Sequence, residues 1–568
     1  MKRLLHIAIF AIGFLAACTK EESGAPLPSP PVITLDSPTS VYATKVGREI
    51  EIRPVYENAE AATFAWTLAG RLVGEEPTLR FSSDEKGSYY ITLTVANAGG
   101  EASEELRIDV AELAPPMLLL SGADRGFTVV VGSSLVLEPT ITSPTEVACS
   151  WTVDGEEVST NAVYTFVGEV RGDYTVILTV RNEDGERSIS FPIGVRSPEE
   201  VDFSWTFEQE IYNVSKGRTI RLRAIEIENA FEAEYIWTID GGEVQRGNTP
   251  MLAFEAAEEG THAVRLTMCN DYLAASHDLT VNVCPPEGTY RRNTPGEAAC
   301  NRVYEFLPAP GQFVNEEYAA TTMAEACAWA EERMARGGYV SLGGFGGYMV
   351  VGFDHSIPND RGYEIAVTGN PFDGSSEPGV VYVMQDENGD GLPNDTWYEL
   401  KGSEYGNPET DPDYAVTYYR PSASEQDVPW RDNRGGSGAI GYLAEFHTQD
   451  YYYPAWVGAE SYTLRGVCLK SRSYDASGNG TYWVNPAFDW GYVDNFSQID
   501  RLTDDGNPNA DPADNHFKIS HAVRFDGAAA DLAYIDFVKI QTAVNQQCGW
   551  IGEVSTEVFG VKDYTMSK

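Results

Sequence analysis

The sequence predicts a mainly β protein in which three tandem immunoglobulin-like sandwiches precede a larger, jelly-roll-like β-sandwich head with long loops and one helix. The first observation is a Trp-Thr pair that recurs at Trp66, Trp151 and Trp237, with spacings of 85 and 86 residues. The second is that each pair is followed by a Gly, an alternating apolar and polar run, and an Asn. The third is the change beyond residue 284, where Gly, Asp, Asn, Trp and Tyr become frequent between strand-like runs.

The N-terminus has the pattern of a lipoprotein signal peptide over residues 1–17. A basic start, Met1 to Arg3, precedes an apolar run that is too short to span a bilayer. The segment that ends at Cys18 resembles the bacterial lipobox, and Thr19 to Glu22 is similar to the export tag of Bacteroidota surface lipoproteins. These resemblances imply a lipid on Cys18, a tether over 18–30, and a place on the outer face of the outer membrane. A plain signal peptide with a chance Cys is the alternative.

The three repeats are expected over residues 31–113, 114–197 and 198–284. Their alternating runs, Gly87 to Asn97, Gly172 to Asn182 and Gly260 to Asn270, predict half-buried strands. The blocks resemble PKD domains, and the pattern is weaker in the third copy. Glycan or protein binding is one interpretation of such repeats. We favour a spacer stalk, because no block concentrates unusual chemistry.

Composition excludes some partners. The formal net charge is −45, which disfavours binding to nucleic acid or to an anionic membrane surface. The chain has eight Cys, and if Cys18 carries a lipid the other seven cannot all form disulfides.

The head is expected over residues 285–568 and contains one helical pattern. Thr322 and Glu325 form a capping-box pattern at its start, and Gly337 follows its end. The segments Tyr348 to Phe353, Gly379 to Met384 and Tyr534 to Ile540 predict strands.

An acidic loop in the head predicts a structural Ca²⁺ site. Oxygen-bearing residues stand at loop positions one, three and five, and a Gly at position six permits a sharp turn. The flanking helices and the acid at position 12 of an EF-hand are missing, so we expect a calcium loop within a β protein. An Asx-rich turn capped by its own backbone is the alternative. The predicted metal ligands are Asp386, Asn388, Asp390, Leu392 and Asp395.

Aromatic residues near Gly-rich and Asn-rich segments predict a ligand site in the head. Rings that stack, together with amides and carboxylates, suit a neutral ring-shaped ligand, although each ring alone is more often a core residue. The predicted ligand-binding residues are Trp430, Asp432, Asn433, Tyr452, Trp456, Trp483, Trp490, Tyr492 and Asn495.

Catalytic signatures are weak, and we expect no enzyme activity. The four His of the head show no metal-ligand spacing, and the head contains no Gly-x-Ser-x-Gly or Ser-x-x-Lys motif. Carboxylates are too numerous for counting to exclude a glycosidase pair.

Several head segments resemble the head domain of PKD-bearing surface lipoproteins of gut Bacteroidota. Some of those proteins resemble surface cobamide (vitamin B12) binding lipoproteins that assist TonB-dependent uptake. The resemblance implies capture of a cobamide, with a TonB-dependent outer-membrane transporter as the partner. A glycan is the alternative ligand, and a glycan-active hydrolase is the less favoured alternative. The resembling segments are Ser341 to Tyr348, Gly352 to Ser356, Glu377 to Gly379, the calcium loop with Trp397 to Leu400, Trp490 to Asn495 and Gly549 to Glu557.

Overall fold

The computed structural model describes residues 27–120, 122–123, 125–230, 232–289, 291–292, 294–502 and 514–567. The predicted signal peptide, the lipidation site Cys18 and most of the tether lie outside these residues. Within the described ranges, no helix has both the length and the apolar character needed to cross a membrane. The chain folds into two compact units. One comprises the first repeat with residues 143–146 and 181–186, and the other comprises the rest of the second repeat, the third repeat and the head.

The first repeat is a β-sandwich. Strands β1 to β9 span Val32–Thr34, Val41–Lys45, Ile50–Ile52, Val55–Glu57, Thr63–Leu68, Arg71–Gly74, Leu79–Phe81, Gly87–Asn97 and Gly100–Ala111. A five-stranded sheet has the order β2-β9-β8-β5-β6, and the pairs β1-β4 and β3-β7 supply the other strands. β2 runs parallel to β9, whereas the other neighbours run antiparallel.

The second and third repeats keep this plan. Strands β10 to β18 span Met117–Leu119, Phe127–Val130, Ser134–Leu137, Thr140–Thr142, Ala148–Val153, Glu156–Ser159, Tyr164–Val167, Gly172–Asn182 and Gly185–Arg196. Strands β19 to β26 span Ser204–Phe207, Ile211–Ser215, Thr219–Glu228, Glu234–Ile239, Gly242–Gly247, Met251–Glu255, Gly260–Cys269 and Ala274–Cys284. Their five-stranded sheets have the orders β11-β18-β17-β14-β15 and β20-β26-β25-β22-β23, so the three alternating runs are confirmed as strands.

The recurring Trp is the centre of each sandwich. Trp66, Trp151 and Trp237 are fully buried among the apolar faces of their own repeats. In the first two repeats the indole Nε1 donates to a main-chain carbonyl ten residues later, of Glu76 and Asn161, at 2.9 Å in both. The Nε1 of Trp237 has no hydrogen-bond partner among the described residues. The third repeat thus keeps the packing of the Trp ring but lacks the hydrogen bond from its indole nitrogen.

The head is a larger β-sandwich. Strands β27 to β44 span Arg302–Leu307, Val340–Ser341, Tyr348–Pro358, Ile365–Thr368, Gly379–Met384, Trp397–Leu400, Asp411–Tyr419, Val428–Asp432, Ser437–Ile440, Ser461–Cys468, Tyr474–Asp475, Trp483–Val484, Arg501–Leu502, Asp514–Phe517, Ala522–Val523, Tyr534–Thr542, Glu557–Val558 and Gly560–Asp563. A six-stranded sheet, β27-β29-β42-β31-β32-β41, shares the main core with the four-stranded sheet β39-β40-β30-β44. A further sheet, β35-β34-β33-β36, has its own core. The mainly β class and the sandwich head are confirmed.

The helix α1 spans Met323–Ala335, as the capping pattern predicts. The Thr322 side chain accepts the N–H of Glu325. The second hydrogen bond of the expected capping box differs. The Glu325 carboxylate accepts the N–H of Thr321 at 2.8 Å rather than that of Thr322. Short 3₁₀ helices span Pro198–Glu200, Ile519–His521, Gly549–Ile551 and Tyr564–Ser567. The seven Cys beyond Cys18 are free thiols in the structure.

The third repeat packs against the head within the same unit. Arg223 forms an ion pair with Asp413 at 2.7 Å. The Thr396 hydroxyl donates to the main-chain carbonyl of Asn213 at 3.1 Å, next to the predicted calcium loop. The third repeat therefore contacts a loop of the head, and the interpretation of the repeats as a spacer stays a prediction.

Candidate functional site: an acidic cavity with an aromatic rim

A cavity of about 380 Å³ in the head combines carboxyl groups with exposed aromatic rings. Four acidic residues, Glu377, Asp494, Glu553 and Glu557, contribute to its lining. Neither Lys nor Arg is among the lining residues in the described part of the chain. Its volume lies within the range of about 300–1,000 Å³ that is common for small-molecule sites. A depression of about 550 Å³ on the first repeat, between Lys86 and Ala111, is more open and lacks such a concentration of functional groups.

Three separate segments bring the acids together. Glu377 lies just before β31, and Glu557 begins β43, where it is paired with Ser341 of β28. Asp494 lies in the long loop between β38 and β39, and the neighbouring residue Val493 forms an antiparallel bridge with Gly379. Carboxylate oxygens of these three acids lie within 4.8 Å of one another.

Hydrogen bonds from the main chain fix the acid at the centre of the group. The Asp494 carboxylate accepts the N–H groups of Asn370 and Glu557, both at 3.0 Å. Asp494 has a φ of 55°, in the left-handed region that residues other than Gly enter infrequently. Asp enters this region more readily than most residues, and the two main-chain bonds hold it there.

Burial changes the acid–base properties of these groups. Burial, and then the nearby Asp494 carboxylate, raises the pKa of Glu377 to about 8. Burial raises the pKa of Asp494 to about 7 and that of Glu553 to about 8. The pKa of Glu557 lies well above its usual range, because of burial and then of Glu377 and Asp494. Loss of water and the mutual repulsion of like charges cause these shifts.

The rim of the cavity consists of exposed rings. Phe372, Phe446 and Trp550 are 64%, 56% and 52% exposed, which is unusual for such large apolar side chains. The rings of Phe446 and Trp550 have centroids 6.2 Å apart. The Trp550 Nε1 donates to the carbonyl of Thr481 at 3.3 Å, which orients the indole. Rings held at the mouth of a polar cavity can stack on a flat ligand.

The nine residues predicted to bind ligand are not among those that line this cavity. Tyr452, Tyr492 and Asn495 are buried and bond to the protein itself. For example, the Tyr452 hydroxyl donates to the carbonyl of His447 at 2.9 Å, and the Tyr492 hydroxyl accepts the N–H of Glu404 at 3.0 Å. The Asn495 side chain bonds the main chain of Phe488 through both its oxygen and its nitrogen. These three residues shape loops, and ligand contact for them has no geometric support.

The remaining six residues lie in separate places. Trp456 packs against the main core, Trp483 lies beside Gly549, and the Trp490 ring contacts His521. Trp430, Asp432 and Asn433 lie together at the end of β34, where Asp432 accepts a bond from the Tyr414 hydroxyl at 2.6 Å. The structure thus does not gather the predicted set into one pocket. Their role as ligand contacts stays a prediction.

Sequence reasoning missed the four acids, although a signal for them was present. The segments Glu377 to Gly379, Trp490 to Asn495 and Gly549 to Glu557 carry the resemblance to surface lipoprotein heads, and together they contain all four acids. Asn495, predicted as a ligand contact, is adjacent to Asp494, which lines the cavity. The four acids are far apart in the sequence, and only the folded chain buries them and brings them close together. Their grouping therefore could not be predicted from the sequence alone.

The predicted calcium loop connects β31 to β32 and forms successive Asx turns. The Asp386 carboxylate accepts the N–H groups of Gly389 at 2.8 Å and Gly391 at 3.0 Å. Asp390 accepts the N–H of Leu392 at 2.8 Å, and Asn388 accepts that of Asp390 at 2.9 Å. These bonds suit the Asx-turn alternative and also a loop that presents oxygen atoms to a cation. Calcium at this loop stays a prediction.

The closing acid of the loop is buried. Asp395 is 2% exposed, and its carboxylate accepts the N–H of Glu387 at 2.9 Å. Burial, and then the neighbouring acids Asp386 and Asp390, raises the pKa of Asp395 to about 7. An all-oxygen donor set with excess negative charge fits a hard cation such as Ca²⁺.

Comparison with known proteins identifies the domain class of the first two repeats. A sequence profile of the PKD-like domain matches residues 30–97 and 115–182, which are the first two repeats. Together with the sheet topology, this match establishes a PKD-repeat, immunoglobulin-like architecture. No curated protein matches the chain.

Solved structures that are similar to part of the chain include fragments of three other proteins. The titin I-band fragment I67–I69 is 16% identical, with 45% of this chain and 98% of that chain covered and a TM-score of 0.22. The three N-terminal domains of the highly immunogenic outer capsid protein Hoc of bacteriophage RB49 give the same four values. The fibronectin(III)-like modules of Clostridium thermocellum CbhA are 16% identical, with coverage of 29% and 95% and a TM-score of 0.19.

Proposed function

We propose that this chain is a lipid-anchored surface protein that captures a nutrient in the cavity of its head and passes it to a TonB-dependent outer-membrane transporter. The sequence pattern at Cys18 supports the anchor, and fractionation of membranes from cells that express Cys18→Ala tests it. Release of the variant from the membrane fraction is expected, and unchanged membrane association would contradict the anchor.

The ligand that this cavity suits best is a neutral saccharide. The observation that supports this ligand class is the combination of exposed rings at the rim, such as Trp550 and Phe446, with carboxyl groups in the lining. Aromatic faces pack against the apolar faces of sugar rings, and carboxyl oxygens accept hydrogen bonds from hydroxyl groups. The absence of Lys and Arg from the described lining disfavours a phosphorylated or otherwise anionic ligand.

A cobamide, which the resemblance of the head implies, is the second candidate. A corrin ring with its amide arms and nucleotide loop is much larger than one sugar unit, and the cavity measures about 380 Å³. A cobamide would therefore rest on the rim rather than enter the cavity. The size of the cavity gives the saccharide the stronger support.

Calorimetry with the secreted chain, residues 19–568, tests the choice between these ligands. We expect heat of binding with at least one member of a panel of neutral oligosaccharides and none with cyanocobalamin. Trp550→Ala should weaken saccharide binding at least about thirtyfold, which corresponds to the roughly 2 kcal/mol typical of an aromatic hot spot.

The matched control is Tyr90→Ala, which removes a ring of similar exposure, 57%, from the first repeat. This variant should bind as the parent chain does. Heat with cyanocobalamin alone would favour the cobamide. Release of new reducing ends from a bound oligosaccharide would instead identify a hydrolase.

A further inference from the structure

The acids of the cavity form a group that is distinct from the predicted calcium loop. Glu377, Asp494 and Glu557 come from three segments, and their carboxylate oxygens lie within 4.8 Å of one another. Asp494 and Glu557 are 1% and 4% exposed. Three negative charges at this separation, shielded from water, repel one another strongly unless a proton or a cation neutralises them.

A fourth acid in the same lining supplies an independent observation. Glu553 is 2% exposed, and its Oε1 accepts the N–H of Gln312 at 2.9 Å. Its Oε2 is buried and has no hydrogen-bond partner among the described residues. A buried carboxylate oxygen without a partner costs free energy, and a bound cation would remove that cost.

The histidine in the lining does not neutralise the group. His447 also lines the cavity, but its Nδ1 faces Glu316 at 2.7 Å. The described lining contains no Lys or Arg. The lining therefore holds more acids than bases.

The donor set indicates which cation would fit. The three grouped acids offer oxygen atoms only, and Glu553 adds a fourth carboxyl group to the same lining. Such donors suit a hard cation rather than zinc or copper. Ca²⁺ accepts six to eight oxygen ligands in irregular arrangements, whereas Mg²⁺ requires near-octahedral geometry. The group supplies three carboxyl groups, so water or ligand oxygens in the cavity would complete the coordination.

We propose that Glu377, Asp494 and Glu557, with Glu553 beside them, form a Ca²⁺ site in the cavity of the head. The site is separate from the loop Asp386 to Asp395, and it does not depend on which nutrient the head captures. A cation here would hold the β38–β39 loop, through Asp494, against β43, which carries Glu557, and against the segment before β31, which carries Glu377.

Calorimetry with Ca²⁺ alone tests this site in residues 19–568 after removal of metal by a chelator. We expect Glu557→Gln to bind one Ca²⁺ fewer than the parent chain. Asp390→Asn, which alters the predicted calcium loop, is the matched control and should retain the ion of the cavity. Equal stoichiometry in the parent chain and Glu557→Gln would overturn the proposal, and so would the absence of any binding by the parent chain.

Thermal unfolding separates loss of a ligand from loss of fold. In chelator, Glu557→Gln should unfold at the same temperature as the parent chain or higher, because the neutral amide avoids the cost of ionising a buried carboxyl group beside two others. Excess Ca²⁺ should raise the midpoint of the parent chain more than that of the variant. A variant that unfolds earlier in chelator and responds to Ca²⁺ like the parent would indicate a purely structural carboxyl group and overturn the proposal. Asp494→Asn provides a second variant with the same expected behaviour.

Discussion

At the scale of single residues, burial of a carboxyl group outside the cavity, that of Glu399, should make the stability of the head depend on pH. Glu399 lies on β32, paired with Tyr382 of β31. Burial raises the pKa of Glu399 to about 7. Because the unfolded chain holds this carboxyl group at its ordinary pKa, near 4.5, the folded state binds its proton more tightly. The contribution of Glu399 to stability is therefore complete below about pH 4.5 and is lost as the pH rises through about 7.

Glu399→Gln should stabilise the protein at pH 8 and have little effect near pH 4.5. The expected gain at pH 8 is about 1 to 2 kcal/mol, which is less than the pKa change alone would give because the side chain is only partly buried. Chemical denaturation at both pH values measures it. The control is Glu460→Gln, at an exposed position, which should change neither value. A gain of the same size at both pH values would contradict the titration argument.

At the scale of elements, the sequence predicts local patterns well and the site poorly. The strands Gly87–Asn97, Gly172–Asn182 and Gly379–Met384 have the bounds that their alternation or flanking Gly residues predict. The alternation of apolar and polar residues involves positions close together in the sequence, so the sequence alone is enough to detect it. The acids of the cavity are separated by more than 100 residues between Glu377 and Asp494, and only the tertiary fold brings them together. The predicted aromatic set failed to form one pocket because most of its rings complete local cores.

The loop between β31 and β32 is the element whose predicted ion can be tested separately. Asp390→Ala should lower the unfolding temperature in Ca²⁺ and have a smaller effect in chelator. The reason is that an ion bound only by the folded state stabilises it by about 2.7 kcal/mol at a hundredfold excess over Kd. Scanning calorimetry with and without chelator provides the measurement. Equal destabilisation in both buffers would support an Asx turn without an ion.

At the scale of the whole molecule, the third repeat and the head share an interface. The ion pair of Arg223 with Asp413 and the bond from Thr396 to Asn213 cross it. Asp395 and Tyr398 of the head, both 2% exposed, lie beside it and line a cavity of about 160 Å³ with Tyr212 of the repeat. Removal of the repeat would expose this part of the head to water.

A chain that begins at Thr289 should therefore be less stable than one that begins at Pro198. We expect a loss of at least about 2 kcal/mol, equivalent to a midpoint lower by roughly 4–8 °C for a domain of this size. Thermal unfolding of the two chains measures the difference, and Asp413→Asn in the longer chain should reproduce a small part of it. Equal unfolding midpoints for the two chains would support the interpretation of the third repeat as a spacer.

Each repeat has a parallel pair of strands at its edge, and this pair would bear a pull on the two ends of the repeat. In the first repeat β2, near the entry of the chain, lies beside β9, where the chain leaves, with paired positions from Val41 with Arg107 to Lys45 with Ala111. β11 with β18 and β20 with β26 repeat the arrangement. A force that pulls the two ends of a repeat apart would act along the two parallel strands in opposite directions. The hydrogen bonds between these strands would then be loaded together in shear, rather than broken one at a time. Each repeat should therefore resist extension until these paired strands separate as a set.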